Sequence, residues 1–132
     1  MSEKTVADKL LLRPGGSVWV SDPERAGLLG PLPGGAVLVG SAAEATVAIV
    51  VAGSAAEVRA ALAGNAADLA KAVAFWVAYP KGGRADINRD TLWPILAEHA
   101  FRPIGQVALD ETWSALRFRP IKPGEAPFTG GR

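Results

Sequence analysis

The hydrophobic pattern along the chain resolves into four short runs that are apolar at nearly every position, separated by polar or alanine-rich stretches. "RPGGSVWVS" (Arg13 to Ser21) and "LPGGAVLVG" (Leu32 to Gly40) share one design, in which a Pro-Gly-Gly turn feeds a few β-branched or bulky residues. "TVAIVVAG" (Thr46 to Gly53) and "VAFWVAYP" (Val73 to Pro80) are apolar without alternation. Strands of that kind are buried on both faces, as in a parallel sheet sheathed by helices.

Helical spacing fills the gaps. "PERAGLLG" follows the first run, and "SAAEVRAALAG" follows the third, with Val58 and Leu62 four apart, Ser54 placed to cap and Gly64 placed to end the helix. "DTLWPILAEHAF" sets Leu92, Ile95 and Leu96, with His99 or Ala100, along one face. Pro94 has no N–H, and only the first helical positions leave theirs unbonded, so this helix is expected to start with Thr91 as its cap rather than Asp90. "QVALDETWSALRF" reads as two strands joined by Asp110, Glu111 and Thr112, an antiparallel hairpin. Residues 1–119 are therefore expected to form a single domain, and the proline- and glycine-rich 120–132 a poorly ordered tail.

This succession predicts a Rossmann-like three-layer α/β domain with a mostly parallel sheet of about six strands, ending in an antiparallel hairpin. It resembles the core of the nucleoside-dependent methyltransferases with one early strand and helix missing. By that analogy the strand order is 2-1-3-4-6-5.

Composition narrows the chemistry. The 132 residues carry 14 basic and 13 acidic side chains, so no overall field draws the protein to nucleic acid or an anionic membrane. Without cysteine there are no disulfides or thiolate nucleophiles, and His99 is the only imidazole, which leaves a metal site without ligands of the usual kind. No segment approaches the ~20 apolar residues of a membrane span, and "MSEKTVADKLLL" lacks the form of a signal peptide, so a cytoplasmic protein is expected.

In Rossmann-like sheets ligands bind beyond the strand carboxyl ends where strand order reverses, which points at Ser21, Asp22, Gly53 and Ser54. A methyltransferase loop there needs closely spaced glycines, yet Pro23 and Glu24 follow the first strand and no two glycines are separated by one residue. Glu44 is the only carboxylate near the end of the second strand, and no Gly-Lys-Ser/Thr occurs. No cofactor is expected.

The remaining anion candidate is "YPKGGRADINRD" (Tyr79 to Asp90), where Gly82 and Gly83 could turn backbone N–H groups towards a ligand beside Lys81, Arg84 and Arg89. Asp86 and Asp90 lie among those cations, and a solvated, self-paired loop accounts for the same residues. Asp110 and Glu111 adjoin a turn, where capping it or pairing with Arg117 is expected over acid–base work. Trp19, Trp76, Trp93 and Trp113 show no interleaving with basic residues of the sort that stacks bases.

"WVAYPKGGRADINRDTLW" and "FRPIGQVALDETWSALRFRP" resemble the signature blocks of an uncharacterised bacterial family, the domain of unknown function numbered 3052. The resemblance spans nearly the whole chain, from "LRPGGSVWV" to "DETWSALRF", and implies a short Rossmann-like protein without an established activity. The matching positions are Tyr79, Pro80, Lys81, Asp86, Asp110, Glu111, Thr112, Trp113, Ser114, Arg117 and Phe118, none with an assigned role, and Gly82 and Gly83 stand where polar residues are common.

The sequence thus favours a non-catalytic module that binds a partner protein or a small anionic ligand, with no catalytic and no metal-binding residues. The alternatives are a divergent methyltransferase-like or other small-molecule transferase built on Lys81, Arg84, Ser21 and Asp22, and a structural subunit whose sheet edges a homodimer would cover.

Overall fold

Strand β3 (Val47–Val51) is buried at every position, and β4 (Ala74–Pro80) at every position but its last. Both are therefore interior strands whose two faces need cover. A computed structural model of the chain describes residues 5–82 and 86–125. Its other elements are α1 (Val6–Lys9), β1 (Ser17–Val20), a 3-10 helix over Pro23–Leu29, β2 (Val37–Leu38), a 3-10 turn over Ala42–Glu44, α2 (Ala55–Lys71), α3 (Arg89–Ala97), β5 (Phe101–Ala108) and β6 (Trp113–Pro120). The six strands run in the order β2-β1-β3-β4-β6-β5. The first four are parallel, and β6 lies antiparallel to both β4 and β5. The fold is Rossmann-like, with the strand order that the methyltransferase analogy implied.

One face is covered by α2 and α3. Val58, Leu62 and Leu69 from α2 and Leu92, Ile95 and Leu96 from α3 bury themselves with Ala48, Val50, Phe75 and Val77 of the sheet. Phe75 meets Phe101 edge-on, with ring centroids 5.0 Å apart and planes at 63°. The other face is covered by the α1 segment and the 3-10 helix, which supply Ala7, Leu10, Leu12 and Leu29 against Val18, Val20, Ile49 and Trp76. The indole N–H of Trp76 donates to the Leu10 carbonyl at 3.0 Å, a buried bond that pins the α1 segment to the sheet.

Four elements differ from the pattern-based expectation. Helix α2 runs through Gly64 to Lys71, for 17 residues. An interior glycine costs about 1 kcal/mol relative to alanine, which the burial of Leu69 and packing of Ala66 and Ala70 beyond it outweigh. Helix α3 begins one turn earlier than Thr91: Asn88 is the cap, its carboxamide oxygen accepting from the Asp90 and Thr91 N–H groups, while the Thr91 hydroxyl accepts from Asn88 N–H. That reciprocal box fixes the start, and Pro94 is carried inside the helix, where it forgoes one backbone bond. The first run yields a strand that alternates, with Val18 and Val20 buried but Trp19 only half-buried, and the second yields just two exposed residues. The sheet is sheathed on both sides over β3 and β4, and open over β1 and β2 on the α2 side.

The end of the chain is more structured than a tail from residue 120 implies. Strand β6 includes Pro120, Ile121 N–H donates to the Ala100 carbonyl, and Glu125 pairs with Arg102 and Arg119. Residues 126–132 lie outside the described residues.

Trp76→Phe keeps an aromatic ring, though a smaller one, and leaves the Leu10 carbonyl without its donor. We expect a loss of about 1–3 kcal/mol in urea unfolding. Val73→Thr, at a residue 71% exposed, should change stability by less than about 0.5 kcal/mol.

Candidate functional site

The order β2-β1-β3-β4 reverses direction between β1 and β3, so the crevice there is the topological switch point of the sheet. A cleft of about 420 Å³ opens at that place, lined by Trp19, Ser21 and Asp22 from β1 and its exit, Val51 from β3, and Glu57, Ala60, Ala61 and Asn65 from α2. Its floor is the half-buried Trp19 indole, which the α2-side core covers only in part. The small side chains of Ala60 and Ala61 keep the α2 wall low.

Two of the four switch-point residues predicted from the sequence, Ser21 and Asp22, line this cleft. The Ser21 hydroxyl accepts from Val51 N–H at 2.8 Å and donates to the Val51 carbonyl at 3.4 Å. It thereby extends the β1–β3 ladder one step beyond the strand and is committed as a structural link. Asp22 caps the 3-10 helix, accepting from Glu24 N–H, and lies 3.5 Å from Arg25. The Arg25 guanidinium in turn lies 4.8 Å from the centroid of the Trp113 ring.

Gly53 and Ser54 stand at the positive end of α2, the place where an anion would be expected. The chain supplies its own anions there. Ser54 accepts from Glu57 N–H, the Glu57 carboxylate accepts from Gly53 N–H at 3.2 Å, and Asp86 reaches across from the β4–α3 connection to accept from Ala55 N–H at 2.9 Å. Asp22 and Glu57 also line the cleft, whose lining holds two carboxylates and no basic side chain. Physical chemistry therefore favours a cationic or hydroxyl-bearing ligand here over an anionic one.

The described basic residues of the β4–α3 connection do not line the cleft. Lys81 follows β4, its N–H bonded to the Thr112 carbonyl at 2.8 Å, and it is not among the residues lining the cleft. Gly82 has the positive φ, 78°, that its turn requires. Gly83 and Arg84 lie outside the described residues, so the expected association of Arg84 with the switch point is left open. Glu44 sits in the 3-10 turn beside the amino end of β1, where the Ser17 hydroxyl donates to its carbonyl, away from the cleft. Asp110 caps the β5–β6 turn through Thr112 and Trp113 N–H, both at 2.7 Å. Among the described residues, no group of three His, Asp or Glu could hold a metal ion.

Sequence reasoning missed Trp19, Glu57 and Asn65. A signal for Glu57 was present, because Ser54 followed three residues later by Glu57 is the capping-box spacing. Trp19 gave no such signal, because the pattern does not show which face of its strand is left uncovered.

No family model and no curated protein matches the chain. Solved structures do. A Streptococcus agalactiae protein of the NADB-Rossmann superfamily superposes with a TM-score of 0.56 at 11% identity, covering 98% of this chain and 72% of that one. A Streptococcus pneumoniae chain to which tRNA (m1A22) methyltransferase activity is provisionally attributed gives 0.54 at 15%, covering 94% and 70%. The B. subtilis m1A22 tRNA methyltransferase TrmK gives 0.52 at 12%, covering 92% and 68%. At these identities the likeness is one of fold.

The Ser21 link is testable. Ser21→Ala leaves Val51 N–H without its acceptor. It should cost about 1–2 kcal/mol in chemical denaturation and accelerate hydrogen exchange at the Val51 amide, with no comparable change at Val77.

Proposed function

We propose that this chain is a divergent methyltransferase-like protein that takes a cationic nucleoside, of the sulfonium class that donates methyl groups, in the switch-point cleft. The observation that carries the reading is the cleft itself, an opening of about 420 Å³ floored by Trp19 and edged by Asp22 and Glu57 at the strand-order reversal of a sheet shared with methyltransferase structures. That volume lies within the ordinary range for small-molecule sites. The indole offers a flat face to a ring or a cation, and the two carboxylates can accept from hydroxyl or ammonium donors.

The residues fit such a ligand through side chains rather than bare backbone. Pro23 and the 3-10 helix it opens occupy the position where a glycine loop would wrap the ligand. The bound group would supply an activated methyl. What the chain would supply is position: Trp19 and the α2 wall orient the ligand and shed water from it, while the carboxylates oppose its positive charge. Methyl transfer to a good nucleophile depends largely on alignment, so a site without a dedicated base is compatible with it.

A second reading, binding without turnover, is favoured by one detail. The Ser21 hydroxyl is used in the sheet, and Asp22 and Glu57 both serve as helix caps. In that case the cleft is a ligand sensor or a docking feature on a retained fold.

Calorimetry and tryptophan fluorescence with S-adenosylmethionine, its neutral thioether product, adenosine and AMP would test the proposal. The sulfonium is expected to bind tightest and AMP weakest. Asp22→Asn and Glu57→Gln should each weaken it roughly 10-fold, the scale of one hydrogen bond to a charged group. Preference for AMP, or no binding of any of the four by folded protein, would overturn the reading. Transfer of a labelled methyl group to any acceptor separates the enzyme from the sensor.

A further inference from the structure

At the opposite end of the sheet, the chain holds a carboxylate in an arginine site of its own making. Glu125 accepts from Arg119 Nη1 at 2.9 Å and Nη2 at 2.6 Å, from Arg102 Nη1 at 3.0 Å and from Lys122 N–H at 2.9 Å. Arg119 meets it fork to fork, the bidentate geometry that guanidinium offers to carboxylate and phosphate alike. The side chains of Arg102, Arg119 and Glu125 are 25%, 29% and 22% exposed, so the group is sheltered but open to solvent.

A third arginine stands on the same face. Arg117 and Arg119 are two residues apart on β6, and strand side chains alternate, so both point to the side that bears Trp76 and Ala115. The core on that side takes in Trp113 and Ala115 along β6 and stops before Arg117. Arg117 donates from Nη2 to the Val73 carbonyl at 3.3 Å, but its Nε is buried with no acceptor among the described residues. A buried donor left in that state is costly, about 1–3 kcal/mol. Opposite Arg117 is Gly105, beside a bulge in β5, and a side chain there would meet only the Arg117 Cβ, at 4.0 Å.

We infer that Arg102, Arg117 and Arg119 form a binding site for a diphosphate group of a small phosphorylated ligand, and that Glu125 is the chain's internal occupant of it. A carboxylate has two oxygens, which Arg102, Arg119 and Lys122 N–H satisfy while leaving Arg117 Nε unmet. A diphosphate has more acceptors and a longer reach. Residues two apart on a strand are separated by about 7 Å, so one phosphoryl group can take the place of the Glu125 carboxylate while the other reaches Arg117. Binding then frees residues 121–125 from the sheet. The Val73 carbonyl that Arg117 touches adjoins the amino end of β4, so this site is remote from the switch-point cleft and independent of it.

Acid does not open this clamp under mild conditions. Hydrogen bonds from Arg119, then from Lys122 N–H, hold the Glu125 carboxyl at about 2, against an ordinary 4.5. A depressed folded value means that the contribution is complete above the ordinary value and fades as pH falls from 4.5 through about 2. At neutral pH a competing anion is the way in.

The test is calorimetry on the full chain with pyrophosphate, orthophosphate, sulfate and a short single-stranded oligonucleotide at fixed ionic strength. Glu125→Gln removes the internal anion and should bind pyrophosphate at least 10-fold more tightly than the wild type. Its affinity for the cleft ligand should not change. Arg117→Gln lies outside the clamp and should lose most of the pyrophosphate affinity in both backgrounds, with the circular dichroism spectrum unchanged. Equal, weak binding of all the anions by wild type and Glu125→Gln would overturn the site and leave Glu125 as a plain anchor. Insensitivity of pyrophosphate binding to Arg117→Gln would do the same. Tighter binding of the oligonucleotide with none of pyrophosphate would overturn the small-ligand assignment.

Discussion

Two adjacent strands with no solvent-facing side set the terms for the rest of the molecule. Because β3 and β4 are buried on both faces, each needs apolar residues at successive positions, and the chain must cover two surfaces at once. Helices α2 and α3 cover one. The other falls to modest pieces, a four-residue helix and a 3-10 helix, which hold because they are tied down: Trp76 fastens the first through Leu10, and Asp22 caps the second. Away from these central strands the demand for cover relaxes. The half-exposed Trp19 and the cleft beside it are a result of that relaxation.

What the sequence makes legible follows the same division. The runs from Thr46 to Gly53 and from Val73 to Pro80 are long enough and uniform enough that no element but an interior strand accommodates them, and the parallel order with a closing hairpin followed. The run from Arg13 to Ser21 looked similar, yet only one of its faces is covered, because burial depends on which helix lies above a strand. Local chemistry misled in both directions. Gly64 read as the end of a helix and Pro94 as a sign that its helix starts close by, but each lies deeper inside a helix sustained by packing or by a strong cap. The candidate site was half legible: Ser21 and Asp22 were placed by topology, whereas the filling of the positive end of α2 by Asp86, thirty-one residues from the N–H it accepts from, is revealed by no local pattern.

The two ends of the sheet carry opposite characters. At the carboxyl ends of the parallel strands, Asp22 and Glu57 line the cleft, and Glu57 and Asp86 neutralise the positive end of α2 from within. At the other end, Arg102, Arg117 and Arg119 share one face, and Arg102 and Arg119 pair with Glu125. A net charge of +1 conceals this separation.

The bond between Trp76 and Leu10 joins residues 66 apart in the chain. The α1 segment has little to fold against until β4 is in place, since a helix of four residues does not persist alone. Its docking should therefore come late in the folding reaction, after the central strands have paired, with the large loop closure already met by the sheet. Brief undocking of that segment, leaving the sheet intact, would then be the first step of unfolding and the earliest point at which a protease gains a foothold.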